Sequence, residues 1–312
     1  MIKQFNFYDI YGYLLPGTIL FALLWMPIGV LTNDWPDQDL SKALFLTALA
    51  YVAGHLVQTI ANSVVPSTIP DSAGNRRFPS ELLLDQSDTR FTDKFKTQLA
   101  GHVLSRFGLN MKVTMDGTGS NDISGNRQIA FFQARSYLIA KKAAQYPEQF
   151  EGLYVMMRGL GSAFCAGAAY LTGWALSLRR GNWSGLGAIP WLVWAGISLA
   201  LISALVALFS ETAKKWANRC LIVFLLLALA GSGFLVGTWR IQPVANATGF
   251  PNNAETILWG ATLIALISAV RCFGAYKGFA MNFAETIWRD FCADLSISAS
   301  DSKDPGNEDD GD

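Results

Sequence analysis

ALFLTALAYVAGHLVQTIANSVV, Ala43 to Val65, is the stretch on which the fold turns. Crossing about 30 Å of hydrocarbon takes roughly 20 mostly apolar residues, and this run is long enough. Working outward, Tyr13 to Leu31 precedes it, and Tyr154 to Leu178, Ala188 to Phe209, Cys220 to Trp239 and Thr256 to Tyr276 follow it. Lipid offers the backbone no hydrogen-bond partner, so each run must be helical. None has the in/out alternation of a barrel strand. The expected fold is all-α: a polytopic α-helical membrane protein with about six transmembrane helices and a helical cytoplasmic insert between spans two and three.

Composition points the same way. Charged residues make up 15% of the chain and aromatic residues 12%, with 28 glycines, which suits spans and interfacial belts and argues against a soluble globular protein. The first run is longer than a signal-peptide core, and Leu31-Thr32-Asn33-Asp34 offers no small-x-small cleavage site, so it reads as a retained span. Lys3, Arg76, Arg77, Arg135, Lys141, Lys142, Lys214, Lys215, Arg219, Lys277 and Arg289 flank the spans on one side. Lys42, Arg179, Arg180 and Arg240 flank them on the other. The imbalance puts both termini and the insert in the cytoplasm, with Arg179-Arg180 the main dissent.

The expected organisation is 1–65 for spans one and two, 66–153 for the insert, 154–276 for spans three to six, 277–293 for an amphipathic juxtamembrane helix and 294–312 for an acidic tail. In that helix Phe279, Phe283, Ile287 and Phe291 recur every four residues, so it either lies on the membrane or docks under the insert. The tail, with Asp301, Asp304, Glu308, Asp309, Asp310 and Asp312 near its end, is too polar to bury a core and is expected to be disordered. Cys165, Cys220, Cys272 and Cys292 have no Cys-x-x-Cys spacing and read as free thiols.

Inside the insert, three prolines with Gly74 and Asn75 mark a loop between Pro66 and Pro79, and Ser80-Glu81-Leu82 can start a helix. Phe91, Phe95, Leu99, His102, Val103 and Phe107 predict a second helix with one apolar face. A third is expected from Asn126 to Ala144, and a fourth from Gln149 straight into the third span.

The sequence shows no catalytic or metal-binding constellation. His55 and His102 form no metal-binding spacing, Gly117-Thr-Gly119 lacks the remainder of a phosphate loop, and no Gly-x-Ser-x-Gly elbow occurs. An enzyme, a cofactor and a metal are therefore not expected. What stands out is the second span, where Thr47, Tyr51, His55, Gln58 and Asn62 share one helical face over about 22 Å. Polar groups at that depth are costly against lipid, so the stripe faces another helix or a water-filled path, and both readings are open. Gly159, Ala163 and Gly167 form a small-xxx-small face for helix packing, within the chain or between copies.

Arg158 lies one turn inside the third span. It either snorkels to headgroups or joins Arg127, Arg135, Lys141 and Lys142 in a site for an anionic ligand. The insert's basic and acidic residues nearly balance, so no broad nucleic-acid surface is expected and any such site is local.

Phe7-Tyr8-Asp9-Ile10-Tyr11-Gly12-Tyr13-Leu14-Leu15-Pro16-Gly17, followed by two spans, a helical insert and a return to the membrane, resembles the start of prokaryotic membrane proteins found with anti-phage defence genes. It is similar, more loosely, to the membrane effector of the Hailong system. The resemblance implies a multi-pass protein of the bacterial inner membrane that assembles as a homo-oligomeric channel, a tetramer by likeness alone. It also implies control by a nucleotide or oligonucleotide made by a partner nucleotidyltransferase, and loss of membrane potential when the channel is released. The alternative is a membrane anchor or receptor subunit that scaffolds a cytoplasmic partner without conduction. A transporter is expected to show more spans, inverted repeats and broken helices.

Overall fold

A computed structural model describes residues 9–33, 35, 39–65, 68–70, 76–85, 87–111, 121–178, 229–232 and 253–301. The structure is all-α, with 86% of the described residues helical. It divides into two compact units, residues 1–66 with 155–276, and residues 67–154 with 277–312.

The first unit opens with a π-helical turn, Ile10–Leu14, leading into α1 (Leu15–Thr32). Pro16 is tolerated in the first turn, where its missing N–H costs nothing. Asn33, in the left-handed region at φ 54°, ends the helix. α2 (Leu40–Val64) is capped by the Asp39 carboxylate, which accepts from the Ser41 N–H at 3.1 Å, and it stops where Val65 turns extended ahead of Pro66. The hydroxyls of Thr18, Thr32, Thr47 and Thr59 each donate to the carbonyl four residues back, so apolar helices carry them without an unsatisfied group. Leu171, Trp174, Ala175, Leu258 and Ala261 form a buried cluster in this unit, with Leu23, Met26 and Leu31 of α1 packed against it.

The second unit begins with a short antiparallel pairing of β1 (Ile69–Pro70) and β2 (Arg76–Arg77), Ile69 opposite Arg77. A single turn, α3 (Pro79–Leu82), follows. α4 (Asp93–Phe107) has the Thr92 hydroxyl accepting from the Phe95 N–H at its start and left-handed Gly108 at its end. α5 spans Asn121–Ala140. α6 (Gln145–Leu178) and α7 (Ala254–Asp301) each run unbroken from one unit into the other.

Three described helices are long and apolar enough to cross a membrane: Ile10–Thr32, Ser41–Asn62 and Ala254–Ile297. They point to a multi-pass membrane protein. Six spans are not shown. The run Tyr154–Leu178 is helical but is not among the three, because Arg158, four glycines (159, 161, 167, 173) and several hydroxyl-bearing side chains dilute its apolarity. The expected spans Ala188–Phe209 and Cys220–Trp239 lie outside the described residues, apart from helical residues 229–232. The candidate helix Ala254–Ile297 has 44 residues, about twice what a bilayer needs. Its apolar run ends at Tyr276, and the remainder packs in the second unit.

Residues 277–293 are part of α7 rather than a separate helix, and of the two placements expected for them the structure has the one against the insert: Phe283, Ile287, Trp288 and Phe291 are buried in one cluster with Leu83, Leu84, Leu99, Val103, Ala134 and Leu138. Trp288 Nε1 donates to the Ser80 carbonyl at 3.3 Å, and the Phe291 ring stacks on Phe107 with centroids 5.4 Å apart. The helix also continues to Asp301, beyond the expected start of the disordered tail. Leu295 packs on the core and Asp294 accepts from Tyr137 Oη at 2.7 Å, contacts that hold this turn in the helix. Residues 302–312 lie outside the described residues.

Candidate functional site

In the first unit the polar stripe of α2 runs along the edge of a packed face. Ala50, Gly54, Val57 and Ala61 are buried, and Gln58 beside them is only 3% exposed. Its Nε2 donates to the Val155 carbonyl of α6 at 3.5 Å, while Oε1 is buried without a hydrogen bond. A Cβ on Gly159 would come within 2.8 Å of that Oε1 and 2.9 Å of Pro16 Cγ. His55 is exposed and stacks on Tyr13, with ring centroids 3.8 Å apart and planes 16° apart. Tyr51, half-buried, meets both rings edge-on. Thr47 and Asn62 are exposed. Of the five stripe residues, Gln58 thus serves a helix contact, Tyr51 and His55 pack with Tyr13 as an aromatic group, and Thr47 and Asn62 are exposed.

Gly159, Ala163 and Gly167 are buried within the same chain. The glycines abut Pro16 and Leu23 of α1, and Ala163 lies between them on the same face of α6. A tighter crossing, which the sequence reading missed, joins α1 to α2: a methyl on Gly17 would overlap the Ala50 carbonyl, and one on Gly54 the Tyr13 carbonyl. Ala50 and Gly54, four apart, carried the small-xxx-small signal for it.

In the second unit, three of the basic residues proposed for an anionic ligand have carboxylate partners. Arg127 Nη1 donates to Asp85 at 3.3 Å, and its Nε is buried without a partner. Arg135 pairs with Glu151, and Lys141 with Asp294 at 2.7 Å. The hydrogen bond to Asp294 raises the Lys141 pKa by favouring the charged amine. Glu151 behaves oppositely to an ordinary paired carboxylate: burial pushes its pKa up, and the facing Arg135 only partly offsets this. Lys142 is exposed and left-handed at φ 59°. Arg158, in the first unit, has its Nε buried without a hydrogen bond. Within the second unit, Arg127, Arg135 and Lys141 are thus each held by a different carboxylate.

Lys96 also escaped the sequence reading. Its side chain is 1% exposed, and Nζ donates to the carbonyls of Asp85 at 2.6 Å and Asp88 at 2.9 Å. The signal was its position, three and seven residues before Leu99 and Val103 on the buried face of α4. Among the described residues no group of three or more His, Cys, Asp or Glu could hold a metal, and Cys165, Cys272 and Cys292 are free thiols. Comparison with family models, with curated proteins and with solved structures gives no match.

Proposed function

We propose that this chain is a homo-oligomeric gated channel of a bacterial inner membrane, in which the membrane helices conduct and the helical insert, on the cytoplasmic side, controls them. The observation that supports this best is that α6 and α7 each contribute residues to both the apolar unit and the insert unit. The exposed Thr47, His55 and Asn62 supply a polar lining for a path formed by several copies. The resemblance of residues 7–17 to defence-associated membrane proteins supports an anti-phage role: a nucleotide or oligonucleotide from a partner nucleotidyltransferase would act at the insert, and opening would collapse the membrane potential.

The test is current through purified protein in planar bilayers. Wild type is expected to conduct, and the pair His55→Leu with Asn62→Leu to lower the unit conductance. Absence of current under all ligand conditions would sink the proposal.

Burial of Gln58 against α6 favours a second reading, in which the stripe is structural and the protein anchors or receives a cytoplasmic partner without conduction. That reading expects His55→Leu and Asn62→Leu to be silent, and Arg135 or Lys141 substitutions to abolish capture of the partner.

A further inference from the structure

The insert unit is indented by an open cavity of about 410 Å³. Asp85, Asp88, Arg90 and Lys277 contribute its charged lining, and Ile69, Leu82 and Met281 an apolar edge. We propose that this cavity binds a phosphate group. The carboxylates of its wall are already engaged: Asp85 accepts from Arg77 at 3.0 Å and from Arg127 at 3.3 Å, and Asp88 Oδ1 takes the main-chain N–H of Arg90 at 2.9 Å. The cations are less committed. Lys277 makes no ion pair among the described residues. Among the described residues Arg90 ion-pairs with Glu285 alone, at 3.9 Å, and Glu285 is held more closely by Arg289 at 2.7 Å.

Behind the wall, the buried Lys96 ammonium holds the carbonyls of Asp85 and Asp88 and adds a fixed positive charge. The lining itself holds Asp85 and Asp88 against Arg90 and Lys277, but Arg77 and Arg127, outside it, both pair with Asp85, and this leaves the cations of the wall in excess and favours an anion with several acceptor oxygens. Ser87, also in the lining, adds a neutral donor. The volume lies toward the low end of the roughly 300–1,000 Å³ of small-molecule sites, room for a headgroup or one nucleotide but not for an oligonucleotide. Lys277 directly follows the apolar run 256–276, so the phosphate can come from an anionic phospholipid or from a soluble phosphate ester.

The role of such a ligand rests on the channel reading, whereas its binding does not. Full-length protein in phosphatidylcholine nanodiscs is titrated by calorimetry with inorganic phosphate and with adenosine monophosphate. In a second arm, the thermal midpoint is compared between phosphatidylcholine and phosphatidylglycerol nanodiscs. Saturable binding in the first arm assigns a soluble source, and stabilisation confined to the second assigns a lipid. In whichever arm responds, Lys277→Glu is expected to weaken the effect about tenfold. Asp88→Asn, which keeps the acceptor for Arg90 N–H while removing a charge, is expected to strengthen it. No response in either arm, or a response that neither substitution alters, overturns the site. Binding that persists without any bilayer current would overturn the channel reading alone.

Discussion

A methyl group at Gly54 would overlap the main-chain carbonyl of Tyr13, and one at Gly17 that of Ala50, so two helices meet here backbone to backbone. Neither obstacle is the end of a flexible side chain, and a new Cβ must push the helices apart. Gly54→Ala is therefore expected to cost about 3 kcal/mol, the upper range for overpacking, seen as a lower thermal midpoint in detergent. Gly260→Ala, where a Cβ meets nothing within 4 Å, should be neutral or slightly stabilising. Equal midpoints for the two variants would remove the argument. At this scale the sequence was only partly legible. The spacing of Thr47, Tyr51, His55, Gln58 and Asn62 put them on one face, but a face has two edges. Which side chain turns inward, as Gln58 does, depends on the helix crossings, and the spacing of the polar residues does not encode them; the signal for the crossing at Gly54 lay in the small residues Ala50 and Gly54.

Among the elements, α6 shows how a boundary escapes pattern reading. It starts at Gln145, before the expected Gln149, because Pro147 falls within the first turn, where no N–H is needed. Glu151, one turn further, is half-buried opposite Arg135, and desolvation raises its pKa from an ordinary 4.5. The folded state therefore binds more protons than the unfolded chain between pH 4.5 and the raised value, and this group's contribution to stability falls as pH climbs through that window. Glu151→Gln keeps the shape and removes the titration. Its thermal midpoint, followed upward from pH 4.5, is expected to lack a decline that wild type shows. Superimposable slopes for the two proteins would refute the assignment.

At the scale of the whole molecule, the chain leaves the insert at residue 154 and returns to complete its core only at residue 277. The repeat of Phe279, Phe283, Ile287 and Phe291 was readable as an amphipathic face. Its partner was left open between the membrane and the insert, because a hydrophobic face states that something must cover it without saying what. Even Trp288, buried beside that repeat, is invisible to four-residue spacing. Removing α7 from the insert unit takes away Phe283, Ile287, Trp288 and Phe291, all buried. At about 1.5–3 kcal/mol for each large apolar side chain, the loss rivals the roughly 5–15 kcal/mol that holds a domain folded. The fragment 67–154 alone is thus expected to keep helical far-UV signal, lose near-UV aromatic signal and bind a hydrophobic dye. Adding a peptide of residues 277–301 should restore the near-UV signal and quench dye binding, with Trp288 fluorescence shifting to the blue as its indole is buried. A fragment that unfolds cooperatively without the peptide would show instead that residues 67–154 are a domain in their own right, and that the last helix is attached to the insert rather than part of it.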